Sequence, residues 1–215
     1  FLVSCLMTSA SVAAVSEGVR IGIGIADTSV DASGSETLRS GSGANTTFQG
    51  TRTAATASAD TQVPHIFIEK TFANGMTLGI DYIPGEADVS ATKTGDDDDI
   101  ETAGANTAKA AVSEHITYYA LMPLGDTPLF VKGGITNLTV ETQEVLATGS
   151  AYGNKDVNGV TAGIGAHVER DNGFFARIEA NVSEYEDMTI TSDGSNIIQA
   201  DINTSELRLS IGKSF

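Results

Sequence analysis

The chain has 215 residues and a formal charge of −16. That balance argues against a nucleic-acid partner, whose phosphates need clustered Lys and Arg, and equally disfavours direct adhesion to anionic head groups. No run of about eighteen apolar residues occurs, so no transmembrane helix is written in the sequence.

Phe1 to Ala14 are small or apolar and carry no charge. Ser11-Val-Ala13 and Val12-Ala-Ala14 both fit the small-residue cleavage pattern of a secretory signal peptide. Because the chain opens on Phe, residues 1–14 read as a truncated signal and 15–215 as one exported domain. The alternatives are a short buried helix or strand, or a lipoprotein cleavage box at Leu2-Val-Ser-Cys5. Cys5 is the one cysteine, and with the signal removed neither a disulfide nor thiolate chemistry is expected.

The first strand, Val19 to Ile25, alternates with period two: Val19, Ile21, Ile23 and Ile25 on one face, Arg20, Gly22 and Gly24 on the other. Ser29 to Gln62 is rich in Ser, Thr, Gly and Ala and reads as a long polar loop, with extended strand at its ends. The second strand, Val63 to Phe72, sets Ile66, Ile68 and Phe72 against Phe67, Glu69 and Thr71, and Ala73-Asn-Gly75 makes a tight turn. The third sets Leu78, Ile80 and Tyr82 against Thr77, Gly79 and Asp81, with a bend or bulge expected at Pro84-Gly85.

A second polar loop centres on Asp96 to Asp99. The fourth strand, Ala111 to Met122, puts Val112, Ile116, Tyr118 and Met122 on one face, and Leu124-Gly-Asp-Thr127 is a short turn. The fifth sets Leu129, Val131 and Ile135 against Phe130, Lys132 and Thr136. Beyond Asn137, Leu138 and Val140 take the inner parity, which predicts either a bulge or a strand that has left the apolar zone. A third loop spans Thr148 to Asn158. The sixth strand, Val160 to Glu169, places Thr161, Gly163, Gly165, His167 and Glu169 opposite its apolar row. Arg170-Asp-Asn-Gly173 is a tight turn. The seventh sets Phe174, Ala176, Ile178, Ala180 and Val182 against Arg177, Glu179, Asn181 and Ser183. A fourth loop lies at Ser192 to Asn196. The eighth strand ends the chain as Leu207-Arg-Leu-Ser-Ile-Gly-Lys-Ser-Phe215, with Leu207, Leu209, Ile211 and Phe215 on one face.

Long and short connections alternate strictly, so all long loops lie at one end and all tight turns at the other. Phe72, Phe130, Phe174 and Phe175 flank the tight turns and Phe215 ends there, as an aromatic belt at a membrane interface requires. With the apolar rows toward lipid, the other faces fill the lumen. Arg20, Lys132, Arg177 and Arg208 then meet Glu69, Asp81, Glu169, Glu179 and Glu206, with His167 beside Glu169. Buried charges persist when paired, and an eight-stranded interior is just wide enough for side chains to fill. The expectation is a salt-bridged plug, with the inward glycines leaving room for long Arg and Glu side chains.

In strand count, loop alternation and terminal strand, Val19 to Phe215 resembles the small eight-stranded outer-membrane barrels, the outer membrane protein A transmembrane domain and the opacity proteins among them. The resemblance implies an all-β, antiparallel up-and-down barrel in the bacterial outer membrane, with short periplasmic turns and long extracellular loops. It implies that Leu207, Leu209, Ile211 and Phe215 form the signal read by the barrel-assembly machinery. Its partners would be that machinery, outer-membrane lipid, and an extracellular ligand if the loops recognise one. No peptidoglycan-binding domain follows Phe215, so the cell-wall-anchoring role of some relatives is not expected.

Other readings are weaker. Asp96 to Asp99 with Glu101 lacks the spacing and glycine of a Ca²⁺ loop and reads as a solvated tip. Gly212-Lys-Ser214 lacks the earlier glycine of a phosphate loop. His65 and His115 fall toward the loop end with no evident catalytic partner, so no enzyme activity and no cofactor are expected. A soluble secreted β-sandwich is the structural rival. Within the barrel reading, a structural or shielding role comes first, loop-mediated recognition as an adhesin or phage receptor second, and a narrow ion pore third, because the loops carry few of the aromatics that anchor interfaces.

Overall fold

The computed structural model describes residues 17–37, 52–89, 107–145, 152–191 and 197–215. Residues 1–14, the Asp96 to Asp99 run and the Ser192 to Asn196 loop lie outside the described residues. The strands are β1 (Gly18–Thr37), β2 (Arg52–Thr71), β3 (Thr77–Val89), β4 (Thr107–Pro123), β5 (Leu129–Val145), β6 (Lys155–Glu169), β7 (Phe174–Tyr185), β8 (Met188–Thr191) and β9 (Ile197–Ser214). Each pairs antiparallel with its neighbour, and β1 pairs with β9 to close the sheet. The short β8 continues β7 past a break at Glu186 and Asp187, along the same edge of β9. The fold is therefore an eight-stranded antiparallel up-and-down barrel. Its seam extends to the chain terminus, where the Val19 and Phe215 amides each donate to the other's carbonyl, at 3.2 and 2.8 Å.

Two tight turns use the same chemistry. Gly75 and Gly173 both have φ of 81°, and their amides donate to the carbonyls of Phe72 and Arg170 at 2.8 Å. The preceding Asn74 and Asn172 side chains accept from the amides of Met76 and Phe174. Only glycine takes this left-handed position without cost, so Asn-Gly fixes the register of both hairpins.

The first long loop is shorter than the sequence indicates. Ser29 to Thr37 and Arg52 to Gln62 are strand, paired residue by residue from Ser29 with Asp60 to Thr37 with Arg52. Their Ser, Thr and Ala side chains show no apolar alternation because their outer face meets no lipid there. Backbone pairing, with inward Val30, Ala32 and Ala59 packed into the apolar cluster, makes them strand. In the third loop, β6 likewise begins at Lys155. The predicted irregularity at Pro84-Gly85 is present as a register shift between Ile83 and Glu86, matched on β4 between Ser113 and Ile116. Glu114 there adopts φ of 52°, a conformation that β-strand residues other than glycine rarely hold.

One feature organises the wall. Outward residues near the turn end are apolar and exposed: Ile21 and Ile23 on β1, Ile66 and Ile68 on β2, Ile164 on β6, Ile178 on β7, Leu209 and Ile211 on β9. Higher on the same strands, at unchanged parity, the outward residues turn polar: Ile25 gives way to Asp27, Ile135 to Asn137, Val160 to Asn158, Val182 to Glu184 and Leu207 to Ser205. The inward residues invert at the same level. Arg20, Lys132 and Arg208 lie below, and Val30, Leu138, Val140, Val157, Tyr185 and Ile202 form a buried apolar cluster above. Leu138 and Val140 thus keep the parity of Lys132 without a bulge, and β5 has left the apolar zone. A belt of exposed Ile, Leu and Val around a closed barrel is what a membrane-spanning strand fold requires.

Above the belt, the neighbouring Asp187 carboxyl raises the Asp201 pKa from its ordinary value, through hydrogen bonding to the protonated form and repulsion of the charged one. A carboxyl raised on folding favours the folded pair at low pH, and the contribution is lost as pH rises through its folded-state value. The amides of Met188–Thr191, corrected for intrinsic exchange, should therefore lose protection as pH rises from the carboxylate range, and Asp201→Asn should abolish that dependence. An unchanged pH profile in the variant would contradict the pairing.

Candidate functional site in the barrel lumen

The polar level of the lumen is built by strand parity. The inward rows of β2 (His65, Phe67, Glu69, Thr71), β7 (Phe175, Arg177, Glu179, Asn181) and β9 (Glu206, Arg208, Ser210) converge with Arg20, Asp81, Tyr119, Lys132, His167 and Glu169. At the centre, Arg177 grips Glu69 with two parallel bonds of 2.6 and 2.7 Å, and Tyr119 donates to the same carboxylate at 2.6 Å. The Arg177 guanidinium lies 4.9 to 5.6 Å from the rings of Phe67, Phe130 and Phe175. Planar bidentate pairing with aromatic contact is a role for Arg rather than Lys.

Three further groups surround that pair. Toward the turn end, Arg20 donates to Glu169 at 3.0 Å and to Thr71 at 2.7 Å. Arg208 bridges Asp81 and Glu206, both at 2.8 Å. Lys132 pairs with Glu179 at 3.4 Å and stands 4.2 Å from the Tyr119 ring centre. Arg177 Nε lies 3.4 Å from His167 Nδ1 and can only donate, so that nitrogen accepts. The imidazole then carries its proton on Nε2, which faces Glu169 at 3.3 Å. All ten charged and histidine residues singled out from sequence thus face the lumen, four cations and His167 among five carboxylates.

Several features of the site differ from the sequence reading. The inward glycines do not house Arg or Glu. Gly22, Gly79, Gly165 and Gly212 each stand directly across from an inward aromatic, Phe67, Tyr119, Phe130 and Phe175 respectively. A Cβ at any of the four would fall within 2.5 Å of that ring. Each ring lies flat over its cross-strand glycine, a pairing known to secure strand register. Phe130 and Phe175 are accordingly buried and leave the aromatic belt to Phe72, Phe174 and Phe215, which are exposed. Lys213 sits between Phe174 and Phe215, 4.7 and 5.9 Å from their ring centres.

His65 and His115, read as lacking an evident partner, both have partners in the lumen. His65 Nδ1 is 2.7 Å from Asp81 and its Nε2 is 3.1 Å from Ser210, while His115 contacts Thr136 and Tyr185 at 2.8 and 3.0 Å. Parity could have found the first, since His65 shares the inward row of Phe67 and Glu69. Asp81, His65 and Ser210 stand in the order used for acyl transfer. Here Arg208 occupies the second Asp81 oxygen and Ser210 is buried. Even a methyl added at Gly24 would meet His65 Nε2 at 2.3 Å and Ser210 Oγ at 2.7 Å, so no substrate-sized space adjoins the hydroxyl on that side. Among the described residues, no group of His, Asp and Glu is placed to hold a metal.

The class this geometry defines is a membrane-spanning β-barrel whose lumen is lined by paired charges. The sequence matches no protein-family model and no curated protein. Among solved structures it is similar to Neisserial surface protein A (10% identity, 93% of this chain and 98% of that chain, TM-score 0.45). It is also similar to the outer membrane protein OprG from Pseudomonas aeruginosa (12%, 93% and 98%, TM-score 0.49). A third is Ail, the attachment invasion locus protein of Yersinia pestis (10%, 90% and 99%, TM-score 0.43).

Removing one member of a buried pair leaves the other charge uncompensated, at a cost of about 3–5 kcal/mol. Glu69→Ala should lower stability to urea in detergent by that amount, and Glu69→Ala with Arg177→Met should recover much of it. A loss no larger than that of the exposed control Asp27→Ala would contradict the centrality of this pair.

Proposed function

We propose that this protein is a sealed outer-membrane barrel with a structural or surface-shielding role. What supports this reading is the succession of two layers along the lumen, ion pairs below and an apolar cluster above. Ion pairs line the membrane level, and the buried cluster of Leu138, Val140, Tyr152, Val157, Tyr185, Met188, Ile190 and Ile202 lies above it. A hydrated ion must break paired charges in the first layer and enter an apolar constriction in the second, and each opposes conduction. Export through the signal peptide and insertion by the barrel-assembly machinery, through Leu207, Leu209, Ile211 and Phe215, belong to the same reading. Leu207, Leu209 and Ile211 face outward and Phe215 is exposed beside the seam, so the four are accessible to such a factor.

The second reading is recognition at the extracellular rim. Above the belt the outward face carries Asp27, Asp31, Asp60, Asp156, Glu184 and Asp201, all exposed. Such a rim repels polyanionic ligands and favours a cationic or neutral one. No catalytic role is assigned to the chain in either reading.

Planar-bilayer recording separates the sealed barrel from the pore. The wild-type protein should give no stepwise conductance, whereas replacing Leu138 and Ile202 with Asp, together with Glu69→Ala, should produce channel events. Steady porin-like steps from the wild type would overturn the proposal.

A further inference from the structure

The lipid-facing wall carries a trough of about 650 Å³ on its turn-end half. Its floor is formed where Ala120 on β4 stands directly across from Gly133 on β5, two small outward residues among large ones. Tyr118 and Ile135 wall its upper side, and Leu78 continues the row toward β2. A Cβ built at Gly133 meets nothing within 4 Å, so the space is open to the membrane rather than filled by the barrel.

Lys70 closes the end of this trough. It is exposed, and its cross-strand neighbours Val19 and Leu78 are apolar. Among the described residues, no ion pair joins it to a carboxylate. The other cation on the apolar belt, Lys213, has aromatic partners in Phe174 and Phe215. A lysine on a lipid-facing wall directs its ammonium to the nearest polar layer, and Lys70 lies one residue before Thr71, where β2 ends.

We propose that the trough seats one acyl chain of a phospholipid in the periplasmic leaflet, with the lipid phosphate held by Lys70. This rests on the membrane-spanning reading and adds a specific lipid site to it. Charge complementarity selects this occupant over a second barrel, since a copy of this chain would have to bring a carboxylate to Lys70 through an apolar belt that carries none among its described outward residues. The net acidic charge of the molecule does not oppose it, because the exposed carboxylates around the upper rim lie at the opposite edge of the belt.

The test is native mass spectrometry of the barrel reconstituted in vesicles of phosphatidylethanolamine and phosphatidylglycerol and released in mild detergent. The wild type should retain one phospholipid. Lys70→Ala should reduce that population about fivefold, the effect of one lysine near an anionic surface, and Lys70→Arg should restore it. Gly133→Leu, which has room to fold, should displace the lipid by filling the floor, while Ile178→Ala on another part of the wall should not. Heat-dependent gel migration checks that each variant is folded. Equal lipid retention in all variants would show an unselective annulus and overturn the proposal, as would a dimer peak lost in Gly133→Leu in place of the lipid peak. A wild type that fails to enter the vesicles would refute the membrane reading itself.

Discussion

The structure depends on one constraint, that no backbone N–H or C=O can be left unpaired in hydrocarbon. An open sheet would present two such edges, and pairing β1 with β9 along their whole shared length removes both. Once closed, the wall has a fixed inside and outside, and strand parity assigns every side chain to one or the other. The aromatic-over-glycine pairs and the two Asn-Gly turns hold the register on which that assignment rests. A slip of one residue would place Arg20, Glu69 and Arg177 in lipid.

The constant parity meets two different surroundings. Within the membrane the outside is apolar, so the inside receives what lipid rejects, and the charges satisfy each other around Glu69 and Arg177. Above the membrane the outside is water, and the inside becomes an ordinary protein core of Leu138, Val140, Tyr185 and Ile202. The same strands are thus inside-out below a fixed level and conventional above it. The paired charges of the lumen follow from the first condition and the apolar cluster above them from the second.

This explains what was legible in the sequence. Where lipid faces the wall, alternation is strong, and the strands through Ile21, Ile68, Ile80, Ile164, Ile178 and Leu209 could be read with the correct inward partners. Above the boundary the alternation inverts and weakens, so strand could be expected only at the ends of Ser29 to Gln62, where pairing in fact runs from Ser29 to Thr37 and from Arg52 to Gln62. The apparent phase change at Leu138 marked the boundary itself. Pair identities in the lumen depend on which strands face each other across the barrel, which separations such as Glu69 to Arg177 do not encode. The glycine and aromatic pairs depend on cross-strand register, and His65, read as having no evident partner, is fixed between Asp81 and Ser210 for the same reason.

The central claim is that the wall changes solvent at a single level while its parity stays constant. Cysteine accessibility along β9 tests this directly, because Cys5 is the sole native cysteine and can be replaced by Ser. Single substitutions Leu209→Cys, Leu207→Cys, Ser205→Cys and Asn203→Cys are placed in barrels reconstituted in vesicles and exposed to a water-soluble maleimide. The first two should stay unlabelled until detergent or a lipid-soluble reagent is added, and the last two should label at once. Rapid aqueous labelling at Leu209 would contradict the account.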